Sequence, residues 1–262
     1  MKYDIDKIKD FAIGVALEAG KFILKNMKKA LKIDYKGRVN MVTEVDKDSQ
    51  DIIISRISKE FPNAGIIAEE SDTKTVNKNI TWIIDPLDGT TNFVHGFQCF
   101  AVSIAAEIDS KIILGVVYDP VRKEMFYATN GAGAYLNGKK IHVSRISRLI
   151  DSLLVTGFPY ELNQYFYKNM ELFKALYEKC QGVRRTGAAT IDLCYLACGR
   201  FDGYWEFNLN PWDVAAGSII VKEAGGKISD MKGGDFSIYG KEYLATNGLI
   251  HDEMLEVIRK YI

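Results

Sequence analysis

The stretch 82-WIIDPLDGTTNF-93 sets an apolar, β-forming run against Asp85, Pro86 and Asp88, then Gly89 and the hydroxyls of Thr90 and Thr91. A strand end carrying carboxylates, a glycine turn and hydroxyls has a mechanical meaning. Asp85 and Asp88 can share hard cations, which prefer oxygen ligands, and backbone N–H groups after Gly89 can face an anionic oxygen. Metal and phosphate would meet at that point. An Asp-Gly turn after a strand is common and needs no metal. It leaves the second aspartate, beside a proline at the strand end, unexplained.

Outward from this run, 66-IIAEES-71 again delivers carboxylates at the end of a short apolar strand, so Glu69 or Glu70 could complete the same cation site, although paired glutamates also suit a solvated edge. In 210-NPWDVAAG-217, Pro211 and Asp213 stand at the start of a helix, where an aspartate is also a good cap. In 42-VTEVD-46, Asp46 could serve the site or cap the helix after it.

Apolar residues at three-and-four spacing from Asp4 to about Met27 predict an amphipathic helix, and a second is expected from Lys47 to Phe61, stopped by Pro62. Short β-rich runs follow at 65–70, 80–85, 100–108, 111–119 and 124–128, with a hairpin turn at Asp109-Ser110. After the glycine-rich 131-GAGAYLNGK-139 the pattern alternates. Strands are expected at 153–156, 203–207 and 243–246, and helices at 163–180, 188–198, 211–224 and 252–261. This predicts an α+β half, residues 1–142, with most of the candidate metal ligands. An α/β half, residues 143–262, carries Asp213 and packs against the first as one unit. A cleft between two halves without a linker is a natural ligand site.

The 262 residues include 34 basic and 34 acidic side chains, a balance with no electrostatic footprint for nucleic acid or an anionic membrane surface. No stretch approaches the roughly 18 apolar residues of a membrane helix. The opening MKYDIDKIKDF alternates charged and apolar residues, which argues against export. Cys99, Cys180, Cys194 and Cys198 are too sparse for a disulfide framework and form no C-x-x-C pair, so reduced thiols and a cytoplasmic location are expected.

Together these segments resemble the inositol monophosphatase family of magnesium-dependent, lithium-sensitive phosphatases. The resemblance spans nearly the whole chain and is carried by Asp85 to His95, by the Glu-Glu-Ser before it and by 212-WDVAAGSIIVKEAGG-226. The Gly-Thr-Thr-Asn-Phe core differs from the Gly-Ser-Ser-Asn expected in fructose-1,6-bisphosphatases and the Gly-Thr-Lys-Glu-Phe expected in adenosine bisphosphate phosphatases. The resemblance implies a layered α/β/α/β/α sandwich of the sugar phosphatase type, commonly homodimeric. It implies two to three Mg2+ ions: Glu69, Asp85 and the Leu87 carbonyl at one, Asp85, Asp88 and Asp213 at a second, and Glu69 with waters at a third. Thr90 and Asp46 become the pair that activates water. Gly89 and Thr90 N–H groups become the phosphate cradle, supported by Thr91. Substrate hydroxyls fall to Asp88, Gly187, Ala188, Ala189 and Glu206, and Lys36 to a basic loop near the metals. The run Arg184-Arg185-Thr186 departs from some relatives at the pocket rim and dimer edge.

Other chemistries fit less well. Cys194 to Arg200 reads C-x5-R, the spacing of cysteine phosphatases, but its apolar intervening residues continue a helical pattern that would bury the sulfur. Cys194 and Cys198 share a helix face with no nearby histidine, which suits a core more than zinc. Asp4-Ile5-Asp6 mimics an aspartyl-phosphate motif but opens a helix, and three histidines offer no Ser-His-Asp spacing, so His95 is expected to be structural. The expected activity is hydrolysis of inositol monophosphate by metal-activated water. The alternatives are fructose 1,6-bisphosphate or adenosine 3′,5′-bisphosphate as substrates, or a non-catalytic interaction protein.

Overall fold

The structure, a computed structural model, describes residues 4–27, 32–71 and 79–262. Helix α1 (Ile5–Asn26) starts at Asp4, whose carboxylate accepts the Lys7 N–H, and buries Ile8, Ala12, Val15, Ala16, Ala19 and Ile23. Strands β1 (Ile33–Tyr35) and β2 (Met41–Thr43) pair antiparallel, a hairpin too short to show a period in sequence. Helix α2 (Glu44–Glu60) begins at Glu44 rather than Lys47, because Thr43 is its N-cap. Asp46 therefore completes a capping box from inside the helix instead of preceding it.

Next come β3 (Gly65–Ala68), β4 (Thr81–Asp88), the short helix α3 (Thr90–Val94), β5 (Ala101–Ile108), β6 (Lys111–Asp119), β7 (Glu124–Thr129), β8 (Gly133–Leu136) and β9 (Lys139–Ile141). They form a seven-stranded sheet in that order, with β3 and β4 parallel and every later pair antiparallel. The expected turn at Asp109-Ser110 is present, both residues having positive φ. The glycine-rich 131–139 segment is itself a hairpin whose turn, Asn137-Gly138, has φ 50° and 80°. That Asn-Gly pair was a legible hairpin signal that the sequence reading passed over.

The second sheet holds β10 (Leu153–Thr156), β11 (Gly182–Arg184), β12 (Gly203–Phe207), β13 (Lys227–Ser229) and β14 (Glu242–Thr246), ordered β11-β10-β12-β14-β13. Between them run α4 (Gln164–Tyr177), α5 (Ala189–Ala197), α6 (Pro211–Glu223) and finally α7 (His251–Ile258). The ends of α4 and α7 fray earlier than the pattern predicted, and the three-residue strands β11 and β13 had no period to read.

Side-chain alternation stacks these pieces into five layers. On β4, Trp82 and Ile84 face α1 and α2, while Ile83 faces the opposite side. That opposite side packs on α5 and α6, which meet Val155, Tyr204 and Ala245 of the second sheet. The far face of the second sheet, with Leu154, Trp205 and Leu244, is covered by α4 and α7. The order is α/β/α/β/α, the layered sandwich expected. Each fully buried aliphatic or aromatic side chain in these layers contributes about 1.5–3 kcal/mol, so the inner strands β4 and β12 that carry the site are firmly held.

Candidate active site

The site begins with an irregularity in β4. Asp85 pairs with Ser103 and Asp88 with Ala101, so β4 carries one more residue than β5 across this interval, a β-bulge. Pro86, which has no N–H for the ladder, sits within it. The strand thus runs on through Asp88 instead of ending at Asp85, and the bulge re-aims both carboxylates toward a common cavity. Asp85 Oδ1 accepts the Leu87 N–H at 3.0 Å, which sets its orientation. Gly89 then turns the chain at φ 92°, and a Cβ there would lie 2.8 Å from the Cys99 carbonyl, so only glycine fits.

Beside the bulge, Thr90 Oγ1 lies 2.6 Å from Asp46 Oδ1 and 3.1 Å from the Leu87 carbonyl. Asp46 Oδ2 is held by the N–H and hydroxyl of Thr43 at 2.8 and 2.6 Å. The capping box of α2 is therefore also the support of this pair. Burial raises the Asp46 carboxyl above its ordinary value, partly offset by the hydrogen bonds from Thr43 and Thr90.

A cavity of about 210 Å³ is lined by Glu69, Asp85, Leu87, Asp88, Gly89, Thr90, Glu206 and Asp213, among others. Burial, then the charges of Glu69, Asp88 and Asp213, pushes Asp85 well above the carboxylate range. Burial and Glu69 do the same to Asp213, whose Oδ2 accepts the Asn210 N–H at 2.7 Å in the capping box of α6. Asp88 is pushed up to about 6, chiefly by burial, although Thr190 donates to it from both N–H and hydroxyl. Acids crowded this way are unstable as free anions, and a cation among them would relieve the repulsion. One cation is already there: Lys36 Nζ, from the hairpin after β1, lies 3.0 Å from Glu69 Oε1 and also contacts Glu70. Burial and Glu69 raise Glu70 to about 7, and its N–H is tied to Gln50 Oε1, so of the two glutamates it is Glu69 that borders the cavity.

These donors fit a hard divalent ion. Among the described residues no three His, Cys, Asp or Glu side chains close on one point by themselves. Magnesium does not require it, since it keeps several waters and takes one or two carboxylates plus phosphate oxygens. An all-oxygen set with one oxygen of Asp85, Asp88 and Asp213 fixed by a backbone N–H suits such an ion.

At the other end, a smaller cavity of about 90 Å³ lies against Gly187, Ala188, Ala189, Asp192 and Glu206, and shares Asp88 and Asp213 with the first. Glu206 is buried on β12, accepts the Tyr204 hydroxyl at 2.8 Å, and is pushed up to about 7, chiefly by burial. Gly157 makes room for it, because a Cβ there would fall 2.2 Å from either carboxylate oxygen. Asn92 donates to the carbonyls of Cys99 and Thr186, tying the β4 motif to the loop before α5. Thr91 is on the same helix, its Oγ1 buried without a hydrogen-bond partner among the described residues.

The candidates that line the two cavities thus come from the end of β3, from β4, α3 and β12, and from the starts of α5 and α6, with Asp46 of α2 joined to them through Thr90, while Thr91 lines neither cavity. The sequence reading missed Thr43, Thr190, Tyr204 and Gly157. Thr43 had a visible signal in the Thr-x-x-Asp capping box and Tyr204 stands two residues before Glu206 on β12, whereas Thr190 and Gly157 act through contacts distant in sequence. Cys194 is fully buried in α5 and burial pushes its thiol well up, while Arg200 pairs with Glu124 over the Tyr195 ring. The C-x5-R spacing is core packing.

A layered sandwich whose two sheets meet at a cleft ringed with carboxylates, beside a Gly-Thr-Thr turn, belongs to the class of proteins built to hold cations against an anionic ligand. A model of the inositol monophosphatase family matches residues 4–262, and the chain belongs to that family. It is 46% identical over 228 residues to Nus factor SuhB of Vibrio cholerae, covering 86% of this chain and 85% of that protein. It is 43% identical over 257 residues to an inositol-1-monophosphatase of Synechocystis, covering 97% and 90%. Among solved structures, the extragenic suppressor protein suhB of Bartonella henselae superposes with a TM-score of 0.93 at 36% identity, covering 98% of this chain and 100% of that one. An IMPase of Thermotoga maritima does so at 0.90 and 35%, covering 98% of each.

Proposed function

We propose that this protein is a magnesium-dependent phosphomonoesterase that hydrolyses myo-inositol 1-phosphate to inositol and phosphate. The observation that carries this reading is the single cleft with crowded acids and the Thr90–Asp46 pair at one end and Glu206 at the other. In it, Glu69, Asp85 and the Leu87 carbonyl would hold one cation, and Asp85, Asp88 and Asp213 a second, with Glu69 open to a third. Bound there, the cations neutralise phosphate charge and lower the pKa of water for attack on phosphorus.

The protein's own groups supply orientation and proton handling. Thr90 donates its proton toward Asp46 Oδ1, which turns the hydroxyl's lone pairs to accept from the attacking water. The N–H groups of Gly89 and Thr90 face the phosphate, and Thr91 supports that turn. Gly187, Ala188, Ala189 and Glu206 receive the polyol hydroxyls. Asp88, between the two ends, serves cation and substrate. The halves 1–142 and 143–262 act as one unit in a cytoplasmic homodimer, and lithium inhibits by taking a magnesium position. No helix among the described residues is long and apolar enough to cross a membrane.

A relative named inositol-1-monophosphatase and a structural neighbour described as inositol monophosphate bound support the substrate class. The name Nus factor SuhB, carried by relatives 42–46% identical, does not describe a hydrolase and favours a second reading, a non-catalytic interaction role. Phosphate release with magnesium from inositol 1-phosphate, fructose 1,6-bisphosphate and adenosine 3′,5′-bisphosphate separates them. The first reading expects inositol 1-phosphate to be hydrolysed fastest. Preference for another ester corrects the substrate, and no release from any of them leaves the second reading.

A further inference from the structure

Among the described residues the buried hydroxyl of Thr91 finds no partner in hydrogen-bond geometry, a condition rare in native proteins unless a water, ion or ligand completes it. The group that approaches it is the hydroxyl of Tyr160, in the segment between β10 and α4. That segment is rigidly mounted. The Gly157 carbonyl accepts from Asn169, which is buried and also binds the Trp205 indole at 2.6 Å. Phe158 packs its ring 5.8 and 6.0 Å from those of Phe166 and Phe173. Pro159 then fixes its own φ and delivers Tyr160 over the cleft.

Tyr160 is 42% exposed, so the core does not require it. It nevertheless borders both site cavities and an outer one of about 340 Å³ that it shares with Lys36, Arg38 and Asn40. The charged groups that its hydroxyl feels are Asp88, Glu69 and Arg185, and Asp88 is common to both cavities, which places it over the part of the cleft where the two meet. No position in the motif of residues 85–95 announces it, and nothing in the proposed mechanism uses it.

We infer that Tyr160 is a substrate-binding residue whose hydroxyl, backed by Thr91 Oγ1, donates a hydrogen bond to a non-bridging oxygen of the substrate's phosphate. Thr91 donates to the phenol oxygen, which leaves the phenol proton directed into the cleft. A bond from that proton to a phosphate oxygen is charge-assisted, and it forms once cations neutralise Asp88 and Glu69. The ring meanwhile closes the site from the outer cavity. This rests on the reading above that phosphate occupies the Gly89–Thr90 turn.

The test is calorimetric binding of inorganic phosphate, in saturating magnesium, to the full chain and to Tyr160→Phe, which keeps the ring and removes only the hydroxyl. Loss of one charge-assisted hydrogen bond is expected to weaken phosphate about tenfold, with Tm unchanged. Thr91→Val should weaken it in the same direction, and the double variant no further than the worse single one, because both hydroxyls act on one bond. Phosphate bound equally well by Tyr160→Phe overturns the inference, as does a loss confined to inositol 1-phosphate, which would put the hydroxyl on the polyol. A chain that binds phosphate through Tyr160 but hydrolyses no ester would refute the proposed function and leave this inference standing. Hydrolysis unaffected by Tyr160→Phe would do the reverse.

Discussion

Thr90 is where the chemistry is most local. Its hydroxyl is held by Asp46 at 2.6 Å and by the Leu87 carbonyl at 3.1 Å, so Thr90→Ala removes an orienting group that acts mainly in the transition state. Turnover should fall far more than affinity; steady-state kinetics showing a change in KM alone would make Thr90 a ground-state phosphate ligand. Asp88→Asn and Asp213→Asn keep shape and remove charge from the cation end. Each should lower kcat at least about a hundredfold while circular dichroism stays unchanged. Near-normal magnesium-dependent activity in either folded variant would remove the residue from the metal site. Glu206 differs, since it is buried beside Tyr204 at the polyol end. Glu206→Ala should cost about 1–3 kcal/mol in kcat/KM on inositol 1-phosphate, and much less on 4-nitrophenyl phosphate, which has no ring hydroxyls to pair. Equal losses on both substrates would make it a support of the fold.

At the scale of elements, the catalytic geometry depends on how α6 lies on the large sheet, because α6 carries Asp213 at its first turn. Gly115 of β6 lets it approach: a Cβ there would fall 2.5 Å from the Ala216 carbonyl and 2.6 Å from the Ile219 side chain. Gly115→Val therefore has to push α6 off the sheet. Overpacking of this kind costs about 1–3 kcal/mol, and the displaced Asp213 should lower turnover as well. Urea unfolding and phosphate release check the two effects, and an unchanged midpoint would mean the helix yields without strain. Element boundaries were legible where a period repeats. Ile8 to Ile23 on α1 and the β-rich runs of β5 and β6 announced themselves, whereas β1, β2, β11 and β13 are three-residue strands that exist only because a partner pairs with them. The bulge at Asp85–Asp88 was invisible for the same reason, since register belongs to two strands.

For the whole molecule, the crowded acids set a pH dependence. Glu70 and Glu206 are raised to about 7 and Asp88 to about 6, above the values near 4 that they regain on unfolding. Between pH 4 and 7 the folded chain holds more protons than the unfolded one, so without metal its stability falls as pH rises through that window. His251, buried between Ser229 and Thr246 and lowered to about 4 chiefly by burial, works oppositely, its contribution being lost as pH falls below about 6.5. It does so with or without metal, so a comparison of the two conditions cancels it. Magnesium, by compensating the acids, should raise Tm more at pH 8 than at pH 5 relative to EDTA. Thermal unfolding monitored by fluorescence measures this directly, and an equal shift at both pH values would mean that the acids do not hold the cation.

The layered sandwich was implied by the family resemblance; from the residues themselves came an α+β half followed by an α/β half, the strand that delivers Asp85 and Asp88, and the segments carrying Glu69, Asp46 and Asp213. Each is encoded by short-range pattern: periodicity, turn chemistry and motif spacing act within a dozen or so residues. Only the tertiary structure decided that Thr190 steers Asp88 across 102 positions of chain, that Gly157 leaves room for Glu206, and that Tyr160 overhangs Thr91. These are meetings of layers. Their energy comes from burial and hydrogen bonds between elements that no local sequence window contains, so they become readable only once the two sheets have been packed around α5 and α6.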